Sequence, residues 1–290
     1  MRNRTVVAIP PDYKKNQSLD LESSKNYVKY LDERNVDTVM TTAGTSHFNL
    51  LTCDEIHQLN KTVVTSFSGK KIIGVPILSL NQTKEFVKIA NEYLDEDSNL
   101  MLLYPDRFYN NDVVERYLES IAEICEDRIY IHGKTLRKAT GGLWDYESQV
   151  VNNLFDKGLL KGIKEEHSQL EKSYNFISDL KTEVDVIVAG GSMRRFEFLR
   201  SAGANSFLSG VGNLFPTVEQ RYIDGDRKYA LEIEKKMFKV FMQHGWHKSL
   251  RISLKHLNLT CYHNRQPWPP TTETERLQIT KVVKEIKNER

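Results

Sequence analysis

Gly158-Leu159-Leu160-Lys161-Gly162-Ile163-Lys164-Glu165-Glu166 is a short apolar stretch that closes on a lysine. Its length and the β-branched residue before Lys164 read as a buried strand that ends there. The side-chain period of two in a strand puts Gly162, Lys164 and Glu166 on one face, and Lys161, Ile163 and Glu165 on the other. Gly162 leaves space below the amine. An amine at the end of a buried strand is poorly solvated, and desolvation disfavours the ammonium form, which is how a lysine becomes a nucleophile towards carbonyl carbon. Lysines are rarely buried, so these nine residues by themselves also describe a strand-end lysine whose ammonium reaches solvent.

Short apolar runs of the same kind alternate with helical patterns from the first residues to about residue 216, the habit of repeated βα units. The strands expected are Thr5–Ile9, Asp37–Thr41, Lys71–Pro76, Leu100–Tyr104, Arg128–His132, Leu159–Lys164, Val184–Ala189 and Ser206–Ser209, which makes the lysine stretch the sixth of eight. Helices are expected over 21–34, 84–94, 112–125, 146–157, 168–179 and 194–202. Thr52-Cys53-Asp54-Glu55 is a capping box that opens another helix ahead of Ile56, Leu59 and Val63. Eight βα units in about 215 residues predict an α/β fold, a (β/α)8 TIM barrel, with a doubly wound sheet as the alternative.

Beyond Pro216 three helical stretches, 217–243, 247–257 and 273–287, follow without a strand between them. The expected organisation is a barrel over 1–216 and a C-terminal helical region over 217–290 packed on it. Gln266-Pro267-Trp268-Pro269-Pro270 cannot be helical and reads as an extended connection.

With 39% hydrophobic and 28% charged residues, the 290-residue chain has the composition of a globular protein with a sizeable core. Its net charge of +2 is mixed along the sequence without a block of like charge, so neither nucleic acid nor membrane is the expected partner. Cys53, Cys125 and Cys261 are odd in number and widely spaced, which fits a reducing, cytoplasmic setting and no disulfide framework. The apolar part of the N-terminal stretch is too short for a signal peptide, and no apolar run approaches a membrane span. His244 and His247 lack a third ligand and are separated by Gly245, so no metal site is expected. Gly141-Gly142 and Gly190-Gly191 do not have the spacing of a dinucleotide turn, so no nicotinamide cofactor is expected.

Several segments together carry a resemblance. Gly162-Ile163-Lys164 closes strand six, Gly44-Thr45-Ser46 follows strand two, Gly203-Ala204-Asn205-Ser206 leads through strand eight to Asn213 and Pro216, and Arg265-Gln266-Pro267 lies near the C-terminus. Nearly end to end, this pattern resembles the dihydrodipicolinate synthase and N-acetylneuraminate lyase family of Schiff-base aldolases. The resemblance implies that Lys164 forms an imine with a 2-keto acid such as pyruvate. It also implies that no metal or other cofactor is needed, because the protonated imine is itself the electron sink. Gly44, Thr45 and Ser46 match the family's carboxylate-binding turn, for which successive N–H groups and hydroxyls at a strand's carboxyl end are chemically suited. Ser209, at the end of strand eight, is a further substrate-binding candidate. A homodimer or homotetramer is implied by resemblance alone.

Departures from the family cluster at the carboxyl ends of strands, where barrel active sites lie. His132 stands at the end of strand five, where the family carries a proton-relay tyrosine; imidazole can act as acid or base near neutral pH. Tyr130, two residues earlier on the same face, is the other relay candidate. The tyrosines after strand four become Asp106 and Arg107 behind Pro105, His47-Phe48 replace a Gly-Glu pair, and Arg137 or Lys138 is the candidate clamp for a second carboxylate. The expected function is a carbon-carbon lyase, an aldolase joining or splitting a 2-keto acid and an aldehyde. Dihydrodipicolinate synthesis proper is one alternative, and a keto-acid or sugar-acid binding protein with little turnover is the other.

Overall fold

The computed structural model describes residues 4–103, 111–125, 128–133 and 148–289. Eight strands follow one another in chain order around a closed barrel: β1 (Arg4–Ala8), β2 (Thr38–Met40), β3 (Lys70–Val75), β4 (Ser98–Leu102), β5 (Ile129–His132), β6 (Gly162–Glu165), β7 (Asp185–Val188) and β8 (Ser206–Leu208). Between consecutive strands lie α1 (Leu21–Asp32), α2 (Cys53–Ser66), α3 (Leu80–Asn91), α4 (Asn111–Cys125), α5 (Ser148–Asp156), α6 (Leu170–Ser178) and α7 (Ser192–Leu199). This is the (β/α)8 architecture that the alternating pattern predicts. Then come α8 (Pro216–Ile223), α9 (Arg227–His244), α10 (Trp246–His256) and α11 (Glu273–Asn288). No helix among the described residues is long and apolar enough to cross a membrane.

Most element ends shift by a few residues from the sequence reading, and two of the differences have a plain physical reason. Strand β6 begins at Gly162 rather than Leu159, because Gly158 turns out of α5 with φ +69° and the Leu159 N–H bonds back to the Leu154 carbonyl. The helix expected over 217–243 is two helices, α8 and α9, since Gly225 adopts φ +112° between them, a conformation open to glycine. The capping box of α2 is formed as read: Thr52 Oγ1 accepts the Glu55 N–H at 3.2 Å and Glu55 Oε2 accepts the Thr52 N–H at 3.0 Å. Ile56, Leu59 and Val63 behind it are buried.

By its contacts the chain divides into two compact units. One takes the described part of Met1–Val6 with Lys70–Leu208; the other takes Val7–Gly69 with Ser209–Arg290. In the first unit, parallel pairing sets Tyr130, Gly162 and Asp185 side by side, and one pleat further along sets His132, Lys164 and Ile187 side by side. The lower row is a buried polar network. Tyr130 donates its hydroxyl proton to Asp185 Oδ2 at 2.5 Å, and Arg4 of β1 forms an ion pair with the same carboxylate. Burial, reinforced by the negative charge of Asp185, pushes the Tyr130 phenol well above its usual range, so it stays protonated. Gly162 makes room for this ring: a methyl group there would collide with the Asp185 carbonyl oxygen and sit 2.5 Å from Tyr130 Cε1. The space expected below the Lys164 amine is therefore filled by Tyr130.

In the second unit the C-terminal segment is fastened to the loop after β1 and to α2. Buried Asp12 accepts the Tyr13, Cys261 and Tyr262 N–H groups at 3.0, 2.6 and 3.0 Å, and the Ser23 hydroxyl at 2.6 Å. Arg265 makes a two-pronged pair with Glu55 at 2.8 and 3.0 Å, so one carboxylate both caps α2 and holds the C-terminal segment. Arg251 of α10 donates to the His263 carbonyl at 3.0 Å and lies 3.2 Å from His47 Nδ1. A guanidinium only donates, so His47 Nδ1 accepts and the ring is neutral with its proton on Nε2. The ring stacks on Trp268, with centroids 4.8 Å apart. Burial, followed by the charges of Arg251 and His247, pushes His47 down to about 2.

Gly162→Ala is expected to lower stability by about 3 kcal/mol, as overpacking against fixed backbone does; urea unfolding checks this, and a loss below about 0.5 kcal/mol would show that the strand yields. His47 binds a proton when unfolded near its ordinary value but not when folded, so its contribution is complete above about pH 6.5 and is lost as pH falls towards 2. His47→Asn keeps a residue that tolerates φ +53° and removes this titration. Between pH 7 and pH 5.5 the variant is expected to lose about 1 kcal/mol less stability than the unaltered chain. Parallel losses in the two proteins would contradict it.

Candidate active site

Lys164 lies in a buried strand one residue before its end at Glu165, with only 3% of its side chain exposed. It does not stand in a purely apolar setting. Its Nζ lies 2.9 Å from His132 Nε2 on the neighbouring strand β5 and 2.9 Å from Glu166 Oε2. The first contact follows from register, since His132 and Lys164 are direct partners across β5 and β6. The second follows from the period of two, which returns Glu166 to the face of Lys164. The amine is thus buried between an imidazole and a carboxylate rather than among apolar groups alone.

The residue between them faces the other way. Glu165 is fully buried and accepts the His167 N–H and the Ser173 hydroxyl, both at 2.8 Å. Arg195 Nη2 donates to the His167 carbonyl and to Ser173 Oγ, both at 2.6 Å, and ties α6 and α7 to the end of β6. These bonds hold the strand end on which Lys164 and Glu166 sit. Across the loop after β7, Gly190 has φ +80°, and a Cβ there would lie 3.0 Å from Glu166 Cγ and 3.3 Å from Oε1. The missing side chain is what gives Glu166 its place.

Of the two relay candidates, the structure brings His132 to Lys164 and leaves Tyr130 in the lower row. Tyr130 donates its hydroxyl proton to Asp185, one pleat below the amine. The strand period puts Glu166 on the face of Lys164, but an acidic residue after a strand reads as a solvated end, and its contact with the amine has no signal in the sequence.

The turn after β2 is tightly bonded within itself. Ser46 donates its hydroxyl proton to the Ile9 carbonyl at 2.6 Å and accepts the Thr42 N–H at 2.9 Å, while its own N–H bonds the Thr42 carbonyl at 2.9 Å. Both donors of Ser46 therefore shape the turn. Thr45 is buried, and a Cβ on Gly44 would meet only the His247 ring, at an ordinary 3.5 Å. Ser209 is buried just beyond β8, with its hydroxyl unbonded among the described residues. Arg137, Lys138, Asp106 and Arg107 lie outside the described residues. Among the described residues no group of three or more His, Cys, Asp or Glu side chains is arranged to hold a metal ion.

A buried amine between an imidazole and a carboxylate can exchange protons with either while it forms and breaks a bond to carbon. Comparison with known proteins gives this chemistry a family. The chain is 24% identical over 233 residues to a 4-hydroxy-tetrahydrodipicolinate synthase of Thermotoga sp. (strain RQ2), covering 77% of each protein. It is 22% identical over 219 residues to the enzyme of that name from Coxiella burnetii (strain Dugway 5J108-111), covering 74% of this chain and 72% of the other. In fold it is similar to the N-acetylneuraminate lyase of Fusobacterium nucleatum, with a TM-score of 0.83 at 13% identity over 98% of both chains. It is likewise similar to the dihydrodipicolinate synthase of Oceanobacillus iheyensis, with a TM-score of 0.80 at 17% identity over 99% of this chain and 97% of the other. The model of the dihydrodipicolinate synthetase family matches residues 1–286, and the chain belongs to that family.

Proposed function

We propose that this lyase of the dihydrodipicolinate synthetase family works through an imine between Lys164 and pyruvate or a related 2-keto acid. The observation that carries the reading is the buried Lys164 amine held 2.9 Å from His132 Nε2 on the adjacent strand. Lys164 Nζ attacks the keto carbon, and loss of water leaves a protonated imine. That iminium withdraws electrons from the neighbouring carbon, so a proton is released there and an enamine forms. The enamine carbon then bonds to the carbonyl carbon of an aldehyde, whose oxygen takes up a proton; water hydrolyses the imine and frees the product. The reverse order splits the same bond. His132 moves the protons at carbon and oxygen. The reaction as written asks for no metal or redox cofactor, because the iminium accepts the electron pair.

The relatives named 4-hydroxy-tetrahydrodipicolinate synthase favour that reaction as a second reading. Against it stands His132 in place of the relay tyrosine, which alters the proton transfer and the pocket beside it.

Borohydride reduction in the presence of pyruvate, followed by peptide mass mapping, is expected to give a reduced adduct on Lys164 and none in Lys164→Ala. No adduct with pyruvate or other short 2-keto acids would remove the imine. Imine formation without an aldehyde also exchanges the pyruvate methyl protons for deuterium, which proton NMR follows in heavy water. His132→Ala is expected to slow this exchange by about 100-fold or more while the trapped adduct persists. Unchanged exchange would exclude His132 as the relay.

A further inference from the structure

We propose that Glu166 is the proton acceptor and donor for the Lys164 amine during imine formation, an inference that rests on the imine reading above. Lys164 and Glu166 form a close ion pair in a site where the lysine is nearly inaccessible to water. An ammonium group has no lone pair, so it must lose a proton before it can attack carbon. Among the described residues two acceptors are within reach, His132 Nε2 and Glu166 Oε2, each at 2.9 Å. Transfer to His132 would move the positive charge from amine to ring and leave the site as charged as before. Transfer to Glu166 leaves a neutral amine beside a neutral carboxylic acid, which a poorly solvated site favours.

The protons then balance through the whole step. The ammonium gives a proton to the Glu166 carboxylate, and the neutral amine bonds to the keto carbon. One N–H proton passes to the alkoxide oxygen by way of His132, which gives a neutral carbinolamine. Glu166 returns its proton to the leaving hydroxyl, water departs, and the nitrogen lone pair closes the C=N bond. A carboxylate is restored opposite the iminium, so an ion pair stands at the end as at the beginning. His132 is left free of net change and available for the carbon chemistry that follows.

The surroundings suit this role. Glu166 is tied to Lys164 through two residues of backbone at the end of β6, and its side chain occupies the place that the absent Cβ of Gly190 leaves. His132 faces the amine from β5, Gly190 brings no charge from the β7 side, and Glu165 and Arg195 are engaged on the opposite face. Glu166 is partly exposed, at 15%, so its proton can equilibrate with solvent between turnovers.

The test measures the rate at which the full-length protein forms borohydride-trapped pyruvate adduct on Lys164, from pH 6 to pH 9, in the unaltered chain, Glu166→Gln and Glu166→Ala. Thermal unfolding of each variant confirms that it is folded. Glu166→Gln keeps the shape and a hydrogen bond but cannot accept the proton; its rate at pH 7 is expected to fall about 100-fold and to recover as the pH rises and hydroxide replaces the carboxylate. Added formate is expected to restore about tenfold of the rate in Glu166→Ala, as a small carboxylic acid entering the vacated space. An unchanged rate and pH profile in Glu166→Gln would overturn the proposal and leave the imine reading standing. Slow trapping in both variants with no pH recovery and no response to formate would also overturn it, since that is the behaviour of a residue that only positions the lysine. Failure of the unaltered chain to trap pyruvate or any other short 2-keto acid would remove the imine reading and this proposal together.

Discussion

The parallel register of β5, β6 and β7 is the constraint on which the site depends. It aligns Tyr130 with Gly162 and Asp185, and one pleat later His132 with Lys164 and Ile187. Because the side-chain period is two, a slip of one residue in β6 would turn Lys164 away and bring Glu165 into its place. The lower row resists such a slip. Gly162 is the only residue type that fits between the Tyr130 ring and the Asp185 backbone, and the Tyr130–Asp185–Arg4 network is bonded across β5, β7 and β1. A glycine that carries no chemistry therefore fixes where the lysine stands.

The two rows also divide the chemistry between them. In the lower row the phenol is held protonated beside a carboxylate and an arginine, an arrangement with no reason to exchange protons during a reaction. In the upper row the amine has one basic and one acidic neighbour, and each can change protonation without leaving an isolated charge. Where the family carries a tyrosine at the end of strand five, this chain places an imidazole level with the amine, and Glu166, just past β6, places a carboxylate beside it.

Much of this was legible in the sequence. Eight apolar runs spaced by helical patterns specify the barrel because each unit is local, and the capping box of α2 is local too. The pairing of Lys164 with His132 was readable because both close strands that must be neighbours in a parallel barrel. Glu166 was not, since its role depends on the room left by Gly190, a residue on another loop, and turn signals alone do not reveal what a glycine faces. Ser46 resembles a ligand-binding hydroxyl in sequence, yet its donors close the turn, because the partner carbonyl of Ile9 lies 37 positions away. The change from strands to helices at residue 216 is visible in the sequence, whereas the bonds of Asp12, His47 and Glu55 to the C-terminal segment are not, because they link positions more than 200 residues apart.

Those long-range bonds have a bearing on synthesis. Asp12 is a buried carboxylate whose backbone donors at Cys261 and Tyr262 come 249 and 250 residues later in the chain. At the usual pace of translation, on the order of 5–20 residues per second, tens of seconds pass before these two donors exist. Until then only the local donors of Asp12, the Tyr13 N–H and the Ser23 hydroxyl, are there to meet its charge. The nascent chain passes this interval with the unit containing β2 and α2 incomplete.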